Sequence, residues 1–237
     1  MFILKIIHTI SFRMIKKAIQ WFVALPDCEV RKFLLIFYLV GLVGFAIPWT
    51  SFLFIELTKW ALLLNMVLLV RYHSQKPDRK GLLMYLFVFV FGFAVEVIGV
   101  NTGMIFGQYT FGDGLGIKVL NTPLLIGINW LMLSYCWVSV LISLKVHAFV
   151  KALIGAFGML VYDVVMEQSA PFLDMWYWHL SIIPLQNYVA WFVIALAFQA
   201  VFYLFRVIHY NPLAKMVLVC QFLFFAGLAI IQLLGHS

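Results

Sequence analysis

Apolar residues run in seven stretches, at about 33–51, 53–70, 81–100, 123–144, 150–168, 184–205 and 214–235, separated by short polar or glycine-rich breaks. Each is close to the roughly 20 residues needed to cross a bilayer core as a helix. The pattern predicts an all-α, polytopic membrane helix bundle with about seven transmembrane helices. Residues 1–24 differ, with Lys5, Arg13, Lys16 and Lys17 set among Ile, Leu, Phe and Trp21. That segment is too charged to span, and no small-residue cleavage site follows a clean apolar core. It reads as a basic amphipathic helix lying on the membrane surface. The division expected is an interfacial segment over 1–32 and a transmembrane domain over 33–237. Glu56 and Lys59, in the first turns of the second stretch, are spaced i, i+3 and predict a local ion pair.

Composition agrees with the pattern. The chain is 65% hydrophobic and 11% charged, with mean hydropathy +1.07. Cys28, Cys136 and Cys220 are far apart and form neither a disulfide framework nor a zinc motif. The net charge of +7 reflects topology and not nucleic-acid binding. Of the 16 basic residues, all but Lys59 and Lys118 fall on one side of the predicted spans. The positive-inside rule then puts the N-terminus in the cytoplasm and the C-terminus in the periplasm or exterior, across a bacterial inner membrane. The 101–122 and 169–183 loops share the outer side.

Between Glu96 and Pro123 stand six glycines, Gly99, Gly103, Gly107, Gly112, Gly114 and Gly116, with apolar and aromatic residues between them. Glycine permits positive φ and close backbone approach, so this loop is shaped. Its apolar residues predict that it folds back to wall a pocket. Three acids fall within spans, where ionisable groups mark function by default. Glu96 lies roughly 22 Å along its helix from Gly81, and Asp163 and Glu167 lie roughly 18 and 24 Å from Lys151. All three therefore sit in the outer half of the membrane. Asp163 and Glu167 are i, i+4 on one helix face; such a pair in low dielectric does not fully ionise, and it holds a proton suited to a general acid. The alternative is a set of interhelical hydrogen bonds. Trp176, Tyr177, Trp178 and Trp191 follow; they form either an interfacial belt or the wall of a pocket that shields a cation. No Walker loop or HExxH motif is present. His8, His73, His147, His209 and His236 are expected at membrane ends without forming a cluster. No metal or cofactor is expected.

Two blocks resemble a known family. The first is Glu96-x2-Gly99-x2-Thr102-Gly103-x2-Phe106-Gly107-x-Tyr109, then Leu115-Gly116, Pro123 and Trp130. The second is Asp163-x3-Glu167, Ala170, Trp176-x-Trp178, Pro184, Asn187 and Trp191. In order and spacing they resemble the membrane carotenoid-biosynthesis proteins of the CruF type, which are carotenoid 1,2-hydratases. The resemblance covers roughly residues 81–205. It departs where that family often has proline directly after the second acid, since Gln168 follows Glu167 here. The resemblance implies cofactor-independent addition of water to the terminal C=C of an acyclic carotenoid end. The substrate is a hydrophobic carotenoid drawn from the bilayer, and other carotenoid-pathway enzymes are candidate partners. On chemical grounds Asp163 is the candidate acid, Glu167 tunes it or activates water, and Glu96 is the alternate base. Tyr109, Trp176, Trp178 and Trp191 would shield the cation, and Phe106 and Trp130 would complete the substrate-binding set. Asn101, Thr102 and Asn187 would position water. An end-group cyclase shares the first protonation. A proton-coupled transporter also places acids in spans, but the chain shows no repeat and the inner halves of the spans look nearly free of ionisable groups.

Overall fold

The structure, a computed structural model, describes residues 25–235. The expected basic amphipathic helix over 1–24 lies outside the described residues. The described residues form seven long helices: α1 (Asp27–Ala46), α2 (Pro48–Arg71), α3 (Arg79–Thr102), α4 (Leu124–Val140), α5 (Ala148–Glu167), α6 (Leu185–Leu204) and α7 (Ala214–Gly235). Six of them, α2 to α7, are long and apolar enough to cross a membrane. The protein is an integral membrane helix bundle.

The first boundary differs from the hydrophobic pattern. Residues 48–51 belong to α2, because Ile47 precedes a proline and is held in extended backbone (φ −96°, ψ 113°). Pro48 then opens α2, where its missing N–H costs nothing. Asp27–Lys32, grouped by pattern with the interfacial segment, form the first turns of α1 and pair internally: Arg31 with Asp27 at 2.7 Å and Lys32 with Glu29 at 2.8 Å. Glu56 and Lys59 pair at 2.6 Å, as their spacing predicts.

Asp78 caps α3 by accepting from the Gly81 amide at 2.7 Å. The helix ends at Gly103, whose φ of +66° lets its N–H reach the Gly99 carbonyl at 2.8 Å. α4 is apolar on all sides and correspondingly central, packing against α2, α3, α5, α6 and α7. The bundle is closed by α5 on α6 and by α1 on α7. At Gly158 the Trp137 indole lies where a Cβ would stand, so the α4–α5 contact depends on the absent side chain. Short strands join the loops at one end of the bundle. β1 (Tyr109–Phe111) pairs antiparallel with β4 (Trp176–Trp178), and β2 (Lys118–Val119) pairs with β3 (Thr122–Pro123).

Candidate functional site

The site is assembled where the α3–α4 loop meets the α5–α6 loop. In the β1–β4 ladder Tyr109 faces Trp178, Thr110 faces Tyr177 and Phe111 faces Trp176. Side chains alternate along a strand, so Tyr109, Phe111 and Trp176 point inward while Thr110 and Tyr177 are exposed. Beyond the ladder the Gly112 amide donates to the Met175 carbonyl at 3.0 Å and the Gly114 amide to the Asp174 carbonyl at 2.8 Å. Asp174 also accepts from the Asp113 amide and the Tyr177 hydroxyl. The glycine-rich loop does fold back as a wall.

Beneath this wall three carboxyl groups are almost completely buried: Glu96 from α3, and Asp163 and Glu167 from α5. Glu96 accepts from the Tyr109 hydroxyl at 2.7 Å and from Trp130 Nε1 at 2.9 Å. Burial and the adjacent Glu96 hold the Tyr109 hydroxyl far above the ordinary tyrosine range, so it remains a donor. Glu167 Oε2 accepts from Trp178 Nε1 at 2.7 Å and Trp176 Nε1 at 2.9 Å. Asn187 Nδ2, from the first turn of α6, bridges Glu167 Oε1 at 3.3 Å and Asp163 Oδ2 at 3.1 Å. Asp163 Oδ1 is buried and has no hydrogen-bond partner among the described residues.

Glu96, Glu167 and Asn187 line a cavity walled by Phe106, Tyr109, Phe111, Ile126, Trp176, Trp178 and Trp191. It offers about 20 Å³ to the centre of a water molecule, room for a single water. Trp191 stacks on Trp130 with ring centroids 4.1 Å apart and planes at 24°. Buried acids facing a small aromatic chamber within a membrane bundle suit acid chemistry on an apolar substrate. In a comparison with known families, residues 57–236 match the model of the carotenoid biosynthesis protein family. The chain belongs to that family. No curated protein and no solved structure matches it.

For this carotenoid biosynthesis protein, the structure brings together Glu96, Phe106, Tyr109, Trp176, Trp178, Glu167, Asn187 and Trp191. Trp130 sits behind, holding Glu96 and backing Trp191. Asp163 does not line the cavity and touches it through Asn187. Asn101 and Thr102 are not brought to the site. Both are exposed; Asn101 donates to the Val97 and Leu120 carbonyls and Thr102 to the Ile98 carbonyl. They close the end of α3 instead of positioning water. Phe111, one of the loop's apolar residues expected to wall a pocket, does so, although the substrate-binding set did not include it; Ile126 is an addition that the sequence does not indicate.

A second expectation is corrected at the opposite end of the bundle. His73 and His209 do cluster, with ring centroids 4.8 Å apart, and each bonds a tyrosine from a span. That end therefore carries ionisable groups. Between the two ends α4 and α6 bury Leu131, Met132, Leu133, Phe198 and Phe202 together with Ser134 and Gln199.

Proposed function

We propose that this protein hydrates the terminal C=C of an acyclic carotenoid end group. The observation that carries the reading is the pair of carboxyl groups, Glu96 and Glu167, facing one water-sized cavity with aromatic walls. Glu167 supplies the proton, because it reaches the cavity and Asp163 does not. Asp163 has a single donor and an unpartnered oxygen, so it is the member of the pair that stores the proton resupplying Glu167. In the reaction H⁺ adds to the less substituted alkene carbon and leaves a tertiary carbocation. Trp176, Trp178, Trp191 and Tyr109 surround that cation with ring faces. Water bonds to it and gives a proton to Glu96, yielding a tertiary alcohol. A proton passed back from Glu96 to the Asp163–Glu167 pair resets the site, so the net change is addition of one water.

The cavity is smaller than a prenyl end, so the substrate enters by parting its walls. Gln186 Nε2 donates to the Met104 carbonyl at 2.5 Å and Pro184 packs against Gly107, holding the start of α6 to the loop after α3. Opening there would admit a polyene from the bilayer. The basic residues support a cytoplasmic position for the His73/His209 end and an outer position for the carboxylates.

Expression in a bacterium whose membranes accumulate lycopene tests the reading. The expected result is a more polar pigment heavier by one water, with its chromophore unchanged. An isomer of unchanged mass with a shortened chromophore would instead establish end-group cyclisation. No conversion of any acyclic carotenoid would remove the hydratase reading. Asn187→Ala deletes the shared donor of Glu167 and Asp163. Loss of hydrogen bonds to charged groups at about 1.5–3 kcal/mol predicts conversion slower by about 10- to 150-fold, measured per membrane-inserted protein.

A further inference from the structure

A groove runs where α5 and α7 flank α4, away from the carboxylate chamber. Trp137 of α4, Phe157 and Val161 of α5, and Leu218, Val219 and Leu223 of α7 line an open volume of about 500 Å³. Phe157, Val161, Val219 and Leu223 are exposed, so the groove opens sideways toward the bilayer. Along α7 it reaches from Lys215 to Leu223, about 12 Å at the helical rise. The hydrocarbon core is about 30 Å thick. The groove therefore has the depth of one leaflet, too short for a ligand that spans both.

One end of the groove is charged. Lys215, in the first turn of α7, is exposed and is part of the lining. Among the described residues no acid lines the groove, and Lys215 forms no ion pair. The acids at this end of the bundle are engaged elsewhere: Asp27 and Glu29 pair with Arg31 and Lys32, and Asp78 caps α3. Lys151 stands two turns before Gly158 on the same face of α5. Its Nζ is tied to the Ile142 carbonyl at 3.1 Å, just past Val140 of the lining, which keeps a second ammonium at the charged end.

We infer that this groove binds an anionic phospholipid of the leaflet at the basic end, with one acyl chain along the apolar walls and the phosphate on the Lys215 ammonium. The depth selects a leaflet lipid over a membrane-spanning polyene. The charge selects an anionic headgroup, because a zwitterionic lipid brings its own cation to a mouth that already holds one. The site does not depend on which reaction the carboxylates perform.

The test uses the full chain in phosphatidylcholine nanodiscs holding a trace of phosphatidylglycerol with a diazirine in one acyl chain, with adducts mapped by mass spectrometry. Adducts are expected on Trp137, Val161, Leu218 or Leu223. A phosphatidylcholine probe with the same labelled chain should mark them about fivefold less at equal mole fraction, the ratio one lysine near anionic lipid gives. In Lys215→Gln the two probes should agree within twofold. Val219→Trp, which fills the groove, should remove these adducts and leave those elsewhere on the bundle. If Lys215→Gln does not insert, the wild-type comparison of the two probes decides alone. Equal labelling of the wild type by both probes would overturn the proposal. So would adducts confined to other residues, as a second copy seated on this face would give. Suppression by lycopene at a lower mole fraction than unlabelled phosphatidylglycerol would overturn it too and give the groove to a pigment.

Discussion

Glu167→Gln should abolish pigment conversion while leaving the protein in the membrane. The substitution keeps the volume and one acceptor oxygen, so Trp176 and Trp178 retain a partner. What it removes is the carboxyl that holds a transferable proton at the cavity. General acid–base catalysis is worth about 10²–10⁴-fold, and the loss is expected in that range. Glu96→Gln should fail differently. Tyr109 and Trp130 still find a carbonyl oxygen, and Glu167 still protonates the alkene, but the attacking water has no base. The cation then decays by losing a proton back to the Asp163–Glu167 pair. In D₂O this variant should return substrate heavier by one deuterium and little alcohol, whereas Glu167→Gln should return neither. Deuterium entering the substrate at the wild-type rate in Glu167→Gln would move the acid role away from that residue. Asp163→Asn provides the third comparison: a proton store acting through Glu167 leaves a slow residual conversion, and complete loss with no exchange would restore Asp163 as the direct acid.

The geometry of this site is only partly legible in the sequence. The Asp163/Glu167 pair is, because i, i+4 spacing fixes one helix face without tertiary knowledge. The aromatic wall is, because the glycine-rich loop retains apolar residues that polar solvent would not hold. Asn101 and Thr102, expected to position water, are near Glu96 in sequence but not in space. At 3.6 residues per turn they lie about 140° and 120° from Glu96 around the helix. The buried row of α3 is Met84, Val88, Gly92, Glu96 and Gly99, which follows the helical period and would have excluded both. The His73–His209 pairing was not legible. It joins loops separated by 136 positions, and only the packing of α3, α4 and the loop before α7 brings Tyr85, Tyr135 and Asn211 to those rings. The α1–α2 boundary was misplaced because hydrophobicity is continuous through Ala46–Trp49, whereas Pro48 acts on the backbone of Ile47.

Gly114→Ala should separate the wall from the bundle. A Cβ at Gly114 would stand 2.1 Å from the Leu173 carbonyl oxygen and 2.8 Å from that of Asp174. Both obstacles are backbone, so no rotamer change relieves them; the two loops must move apart. Overpacking of this kind costs about 1–3 kcal/mol, comparable to the few hydrogen bonds joining residues 112–114 to 173–175. Those bonds keep β1 on β4, and through β1 they hold Tyr109 against Glu96. Displacement therefore reaches the chemistry although residue 114 touches neither carboxylate. Conversion is expected to fall at least tenfold, with helix content and membrane insertion unchanged and faster proteolysis within residues 103–122. Gly116→Ala is the discriminating control. Its φ of +79° imposes strain of about 1–2 kcal/mol on any side chain, but the added Cβ would meet only Lys59 Cδ at 3.6 Å. If backbone approach at residue 114 holds the wall, Gly116→Ala keeps most activity at a similar energetic cost. Equal losses in the two variants would mean that turn conformation, and not contact between the loops, holds the site closed.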